Sequence, residues 1–243
     1  MKTVLINGSP KKKLSVSSYL LGMLKIGIKG EVVKEQVRNK SDYARVLANI
    51  QDADAVVFVL PLYVDGVPAH ILAFMKEMQD FCKDSHTKVR VYVLSNSGFI
   101  EGNQNKPLMM VFENFCKRCD FEWCGGIGIG GGVMLNVLRI IFFVYIGIFL
   151  LNCVLNGMQT GNWLSVDIIK TFMKQIAVII FFNLGVFYYG GRMRMAINRE
   201  KKFEVKFTRV LLPSFVFIFV ADVFFVIISF FQGGLFRGWL SKK

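Results

Sequence analysis

The stretch from Val133 to Leu155 constrains the fold more than any other part of the sequence. Arg139 is its single charged side chain, and its centre, IIFFVYIGIFLL at residues 140–151, is apolar all round. A helix on the surface of a soluble domain has a polar face, and a helix that crosses a bilayer needs roughly 20 mostly apolar residues. We therefore predict that this stretch enters lipid. The alternative is a buried helix within a larger soluble fold.

The charge composition changes at the same place. Residues 1–132 contain 17 Lys and Arg against 13 Asp and Glu, whereas residues 133–243 contain 13 against 4 in a more apolar background. This change predicts two domains, 1–132 and 133–243, that lie in different solvents. The aromatic residues lie in apolar runs and not among the lysines. The net charge of +13 is therefore attributed to membrane topology, and no nucleic-acid partner is expected.

Short strands and helices alternate through the first domain. Strands are predicted at 2–7, 31–37, 55–61, 88–96 and 121–130, and helices at 15–28, 41–53, 67–82 and 107–119. A continuous apolar run such as AVVFVLP (55–61) is typical of a strand buried on both faces of a parallel sheet. The predicted fold class is α/β, a doubly wound five-stranded parallel sheet followed by an α-helical transmembrane region.

Three loops at the carboxyl ends of these strands have the composition of a ligand site. NGSPKKKLSVSS (7–18) brings hydroxyl groups and lysines to the start of a helix, where an anion is stabilised. PLYVDGVP (61–68) carries an aromatic ring at a strand exit, and SNSGFIEGNQN (95–105) is small and polar. Together they suit a phosphorylated planar ligand. For the first loop, a solvated basic turn with a serine cap is the alternative.

In this order, the loops resemble those of the flavodoxin-like NAD(P)H-dependent FMN reductases. GSPKKKLSVSS is similar to their GSPR-x-x-S-x-T/S phosphate loop, and PLYVDGVP to their P-x-Y-x-x-x-x-P segment. The resemblance covers residues 1 to about 132 and implies FMN as cofactor and NAD(P)H as electron donor. It implies phosphate contacts from Ser9, Lys11, Ser15, Ser17 and Ser18. It implies a flavin ring framed by Pro61, Leu62, Tyr63, Val64, Ser95, Asn96, Ser97 and Gly98.

Two functions from different classes follow from these features. The first is a membrane-anchored flavoprotein oxidoreductase that passes reducing equivalents to a small-molecule or redox-protein acceptor, with a homodimer among the expected assemblies. The second is a non-catalytic membrane protein that uses the flavodoxin-like domain for sensing or partner binding. Departures from the family pattern favour the second, since Val16 stands where asparagine is frequent and Lys11 replaces an arginine fork. The three loops in family order favour the first, which we therefore predict, with the second as the alternative.

Two other motifs are interpreted without a cofactor. Gly126, Gly128 and Gly131 match GxGxxG, but they follow the fifth predicted strand, and no acid occurs near residue 151. We interpret these glycines as positions of close backbone packing at the edge of the sheet. Cys116 and Cys119 form a CxxC without a second cysteine pair or nearby histidines, so no metal site is expected.

The apolar segments of the second domain predict a multi-pass protein of the cell membrane. Candidate spans are 133–155, 175–191 and 210–236, with a re-entrant third segment as the alternative to three crossings. The loop 156–167 contains no Lys or Arg, whereas residues 192–209 contain seven. The positive-inside rule then places the basic loop and domain 1–132 in the cytoplasm. The start MKTVLINGSP has too short an apolar run for a signal peptide.

Overall fold

Six parallel strands form the central sheet of the computed structural model, which describes residues 1–11, 15–85 and 88–231. The strands are β1 (Lys2–Asn7), β2 (Glu31–Gln36), β3 (Ala55–Pro61), β4 (Arg90–Asn96), β5 (Glu122–Gly130) and β6 (Lys206–Arg209). Their order across the sheet is β2-β1-β3-β4-β5-β6. The first five strands follow the flavodoxin-like order. The predicted α/β class with a parallel sheet is therefore confirmed.

Eight α-helices accompany the sheet in the described residues: α1 (Val16–Lys25), α2 (Tyr43–Gln51), α3 (Ala69–Ser85), α4 (Lys106–Cys119), α5 (Gly132–Thr160), α6 (Val166–Phe182), α7 (Leu184–Asn198) and α8 (Ser214–Phe231). Parts of two predicted segments lie outside the described residues. These parts are residues 12–14 of the first loop and residues 232–236 of the third candidate span.

The prediction of five strands was wrong, because β6 adds a sixth from far beyond residue 132. Lys206 to Arg209 pair in parallel with Ile127 to Gly130 of β5. The segment KFTR is four residues long and half charged, so it has no apolar run that would predict a strand. The interpretation of β5 as the edge of the sheet is also wrong, and β6 takes that position.

The two faces of the sheet are covered by different sets of helices. Helices α2, α3 and α4 pack on one face, around Phe58, Phe74 and Phe112, which are fully buried. On the other face, α1 and α7 pack over Leu5 and Tyr92. A parallel sheet needs cover on both faces because its strands are apolar on both sides.

Helix α7 provides cover that the helix directly after β5 supplies only in part. Val186, Met193 and Ile197 of α7 are buried against the sheet, next to α1. The hydroxyl of Tyr92 in β4 donates a 2.8 Å hydrogen bond to the carbonyl of Lys201, just after α7. Residues beyond the predicted boundary at 132 therefore contribute both a strand and a covering helix to the sheet.

Helix α5 starts on the sheet and then leaves it. Met134, Leu135 and Leu138 in its first two turns are buried, whereas apolar side chains from Ile140 onward are exposed. Helix α6 packs along it as a hairpin, and the rings of Phe149 and Phe172 lie 4.5 Å apart. The hairpin therefore exposes a large apolar surface, well beyond the single exposed side chains that are normal for a soluble domain.

The predicted span 175–191 is not one straight helix. Helices α6 and α7 meet at Asn183 with a bend of 67°, and the Asn183 side-chain amide donates back to the carbonyl of Ile179 at 2.9 Å. Among the described residues, α5 alone is long and apolar enough to cross a bilayer, and α6 with α7 would count as a second span only if the bent pair were taken together. The structure thus does not support the prediction of three separate crossings.

Glycines in β5 allow other parts of the backbone, including the segment that leads into β6, to approach closely. Gly125 has a φ of +95°, and a Cβ there would lie 1.5 Å from the carbonyl oxygen of Phe203. The amide of Phe203 donates to the carbonyl of Cys124 at 2.6 Å, immediately before β6. Gly128 of the GxGxxG match faces the 3₁₀ turn Gly102–Asn105 in the same way. A Cβ at Gly128 would lie only 2.8 Å from the Cβ of Asn105. Close packing thus accounts for both glycines.

We predict that Gly125→Ala lowers the free energy of unfolding by more than about 1 kcal/mol, since alanine is strained at positive φ and its methyl group displaces Phe203. Gly147→Ala is the matched control, because a Cβ at Gly147 has no neighbour within 4 Å. Thermal unfolding in detergent measures both. Equal melting temperatures for the two variants would show that Phe203 is not held against β5.

Candidate functional site

The predicted loops meet at one cavity of about 430 Å³ at the carboxyl ends of β1, β3 and β4. This strand-end cavity is of the size that small-molecule sites have. Most of the predicted residues line it, namely Ser9, Lys11, Ser15, Ser17, Pro61, Leu62, Tyr63, Asn96, Ser97 and Gly98. Residues far apart in sequence converge here because parallel strands all end at the same edge of the sheet.

The loop after β1 is held by its own polar side chains. The amide of Ser9 donates to Asn7 Oδ1 at 3.0 Å, and Asn7 Nδ2 donates to the hydroxyl of Ser18 at 2.8 Å. Ser15 is the N-cap of α1, and its hydroxyl oxygen accepts from the amide of Ser18 at 3.0 Å. The first amides of α1 have no intrahelical acceptor. The loop therefore presents free donors and a helix dipole toward the cavity.

Asn96 connects the first loop to the end of β4. Its buried side-chain amide donates to Ser17 Oγ at 3.1 Å and to the carbonyl of Leu60 at 3.2 Å. One amide group thus ties together the ends of β3 and β4 and the start of α1. Since these bonds fix the Ser17 hydroxyl as an acceptor for Asn96, its own proton remains available to a bound group.

The loop after β3 turns sharply in a strained conformation. Tyr63 and Gly66 exchange two backbone hydrogen bonds, of 3.1 and 3.0 Å, around Val64 and Asp65. Both central residues have positive φ, 46° and 55°, as in a type I′ turn. A β-branched residue rarely adopts this conformation, and such outliers cluster at functional sites. The turn leaves the Tyr63 ring 42% exposed at the rim of the cavity.

Three predicted site residues do not line the cavity. Val64 is fully exposed at the tip of the turn. Ser18 turns its hydroxyl toward Asn7 and Ser15. Ser95 is fully buried and donates to Asn105 Oδ1 at 2.7 Å. In the structure, Ser18 and Ser95 stabilise the loops that line the cavity.

Five lining residues lie outside the predicted loops and were missed. Gly132, Val133 and Asn136 belong to the first turns of α5, and Phe225 and Ile228 belong to α8. All but Gly132, which ends the predicted first domain, come from segments interpreted as lipid-facing, and no local pattern links them to the strand ends. Only the return of the chain after β6 brings α8 to this position. One side of the cavity is therefore apolar.

The cavity favours an anion. Lys11, which is exposed, is the one charged side chain among the described residues that line it. His70 supports the first loop from α3, where its Nε2–H donates to the carbonyl of Gly8 at 3.1 Å. Burial lowers the pKa of His70, and the hydrogen bond to Gly8 opposes this shift only in part. Neutral His70 therefore adds no positive charge, and among the described residues of the loop the charge comes from Lys11 and the helix dipole.

Cys116 of the CxxC and the nearby Cys124 of β5 are buried and have the surroundings of structural cysteines. Burial raises the pKa of Cys116, and it raises the pKa of Cys124 to about 11. A thiol kept protonated in this way is a poor nucleophile and a poor metal ligand. In the described part of the chain, no three His, Cys, Asp or Glu side chains come together as a metal site would need.

Comparison with known proteins gives likeness only among solved structures. No protein-family model and no curated protein matches the chain. A WrbA-like flavodoxin from Agrobacterium tumefaciens is 13% identical with a TM-score of 0.43, covering 50% of this chain and 75% of that one. The Trp repressor binding protein from Bacillus subtilis is 18% identical with a TM-score of 0.44, covering 53% and 84%.

A third solved structure is the NAD(P)H:quinone oxidoreductase from Methanothermobacter marburgensis. It is 16% identical to this chain with a TM-score of 0.40, and the match covers 57% of this chain and 92% of that one. The fold class of this chain rests on its own strand order and parallel pairing.

We predict that Val64→Asn raises the free energy of unfolding by about 1 kcal/mol, because asparagine adopts the left-handed conformation at lower cost than valine. Val111→Asn, at a partly exposed position of α4, is the control, since valine and asparagine have similar helix propensities. Thermal unfolding in detergent measures both. A lower melting temperature for Val64→Asn alone would mean that the valine side chain makes a stabilising contact.

Proposed function

We propose that this protein is a membrane-anchored flavoprotein oxidoreductase that holds FMN in the strand-end cavity and takes hydride from NAD(P)H. The observation that carries the proposal is the convergence of three loops on one cavity. Buried hydroxyl groups, one lysine and one aromatic ring meet there, at the carboxyl edge of a flavodoxin-like sheet. In this proposal the cofactor domain comprises residues 1–132 together with α7 and β6.

The polar side of the cavity fits a phosphate group. Ser9, Ser15 and Ser17 supply buried hydroxyls, and the first amides of α1 supply backbone donors. Lys11 adds a positive charge at the rim and acts as a point charge. These groups would hold a single phosphate, as FMN carries.

The opposite side of the cavity fits a flat ring. Pro61, Leu62 and Tyr63 supply apolar and aromatic contacts, and Asn96, Ser97 and Gly98 supply a small polar loop. When bound, FMN supplies the hydride and electron chemistry, so the protein needs no acid or base of its own. The side chains orient the ring and limit the access of water.

The apolar wall formed by Val133, Phe225 and Ile228 supports a small apolar molecule as the electron acceptor. A redox protein would need a polar, accessible rim around the site, as transient protein interfaces have. Here α8, a helix with exposed phenylalanines, contributes part of the lining instead. We therefore favour the small-molecule acceptor over the redox protein.

Membrane attachment is proposed through α5 and α6, with α8 beside them. The exposed apolar surface of α5 from Ile140 onward is the supporting observation. The basic residues 192–209 lie in α7, in β6 and in the segment that joins them, and α7 and β6 pack against the sheet, so we place these residues on the same side of the membrane as residues 1–132. The positive-inside rule then favours a cytoplasmic cofactor domain and an external hairpin tip at 156–167.

The competing function is a non-catalytic membrane protein with a flavodoxin-like sensing or partner-binding domain. The observation that favours it is Val16, which places an apolar side chain in the cavity next to the phosphate-type hydroxyls. The absorption spectrum of the detergent-purified chain separates the two functions. Flavin bands support the oxidoreductase, whereas a colourless protein that FMN cannot reconstitute supports the alternative.

We predict that Ser17→Ala weakens FMN binding by roughly tenfold to a hundredfold, because a hydrogen bond to a charged group contributes ~1.5–3 kcal/mol. Lys11→Gln is expected to weaken binding in the same direction. Lys25→Gln is the matched control, since it removes an exposed lysine from the far end of α1. Flavin fluorescence titration measures all three. Equal affinities would mean that the phosphate does not lie at the start of α1.

We predict that cysteine at residue 160 reacts with a membrane-impermeant thiol reagent on intact cells, whereas cysteine at residue 201 does not. Thr160 and Lys201 are both exposed, at the hairpin tip and beside the sheet respectively. The unsubstituted chain gives the background from its own five cysteines. Labelling at 201 but not 160 would invert the orientation, and labelling at neither site would show that the hairpin does not cross.

A further inference from the structure

A second cavity lies between α7 and the segment that leads into β6. This α7 groove has a volume of about 550 Å³ and shares no residue with the strand-end cavity. Five cationic side chains and one acid line it, namely Arg192, Arg199, Lys201, Lys202, Lys206 and Glu204. The surplus of positive charge indicates an anionic ligand.

Within the described part of the chain, three of these cations have no carboxylate at ion-pair distance. Glu204 pairs with Lys206 at 2.6 Å, and Lys202 lies 3.9 Å from Glu122. Arg192 contacts the Tyr188 hydroxyl at 3.2 Å, while Arg199 and Lys201 have no side-chain partner among the described residues. Like charges held together on one surface repel each other, so an anion that joins them is stabilised by all three.

One wall of the α7 groove is aromatic and lies close to the proposed membrane helices. Tyr188 and Tyr189 form one wall, with ring centroids 5.1 Å apart. Tyr188 follows the bend at Asn183 by five residues, about 7–8 Å along the helix axis. Tyrosines followed by basic residues at the end of an apolar helix are typical of the headgroup region on the cytoplasmic side of a membrane.

We propose that the α7 groove binds the phosphate headgroup of an anionic phospholipid, with Arg192, Arg199 and Lys201 as the phosphate contacts. The commitment to a lipid rests on the positive charge of the groove and on its continuity with α6, whose exposed Ile180 and Phe181 would lie beside the acyl chains. The inference rests on the membrane attachment proposed above and is independent of FMN.

Such a site would also stabilise the sheet. The same segment carries Phe203, which packs in the core, and continues into β6. A ligand that binds only the folded segment raises stability in proportion to its concentration and affinity. An anionic lipid should therefore raise the melting temperature of the full chain, and a neutral lipid should not.

The test titrates the full chain in neutral detergent with dioctanoyl-phosphatidylglycerol, dioctanoyl-phosphatidylcholine and inorganic phosphate, using thermophoresis and thermal unfolding. We expect the anionic lipid to bind at least about tenfold more tightly than the neutral one. The variant Arg192→Gln/Arg199→Gln/Lys201→Gln should lose that preference. The control Lys76→Gln/Lys117→Gln/Arg118→Gln removes the same charge from α3 and α4 and should retain it.

Three results would overturn the proposal: equal affinity for both lipids, equal loss in both triple variants, or binding of inorganic phosphate as tight as that of the anionic lipid. The last result would indicate a site for free phosphate. The charge-conserving variant Arg192→Lys/Arg199→Lys/Lys201→Arg guards against misfolding, since it should keep most of the preference. FMN binding is measured on the same samples. If the full chain prefers the anionic lipid but does not bind FMN, the result would count against the proposed oxidoreductase function and not against the lipid site.

Discussion

The pairing of β6 with β5 is the contact on which the rest of the structure depends. A parallel sheet must be covered on both faces, and the helix directly after β5 stays on the sheet for only its first two turns. The chain leaves as the α5–α6 hairpin, returns as α7 over the open face, and is then fixed by β6 along the edge of β5. Because the α5–α6 hairpin lies between β5 and β6 along the chain, the sheet is complete only when the hairpin has formed and the chain has returned.

The sequence predicts the first five strands closely, because β1, β3 and β4 are short apolar runs between turn signals, while β2 alternates in polarity and β5 follows a helix with a clear end. It fails for β6 and α7 for two different physical reasons. KFTR is too short and too charged to show a strand pattern, and its pairing depends on glycines that lie about eighty residues earlier. Helix α7 continues the apolar run of α6, so hydropathy merges the two, and the bend depends on Asn183.

The strand-end cavity is predictable to the extent that it follows from sheet geometry. Ser9, Tyr63 and Asn96 meet there because β1, β3 and β4 end at one edge, and this holds for any parallel sheet of that order. The apolar wall could not be predicted, since Phe225 and Ile228 reach it only through the return of the chain after β6. These side chains lie in residues 133–243, more than ninety positions after the last predicted loop of the site.

The basic residues that follow α6 have two roles that cannot be separated in this fold. In the membrane topology proposed above, their charges next to an apolar hairpin favour the cytoplasmic side. Those in α7 belong to a helix that covers the sheet, those in β6 belong to the sheet itself, and Arg209 forms a 2.7 Å ion pair with Glu101 beyond β4. In that proposed topology, an inverted hairpin would carry these residues across the bilayer and remove β6 from β5. The charged side chains on β6 also protect the exposed edge of the sheet from pairing with another chain. Folding of the sheet and orientation of the hairpin therefore reinforce each other.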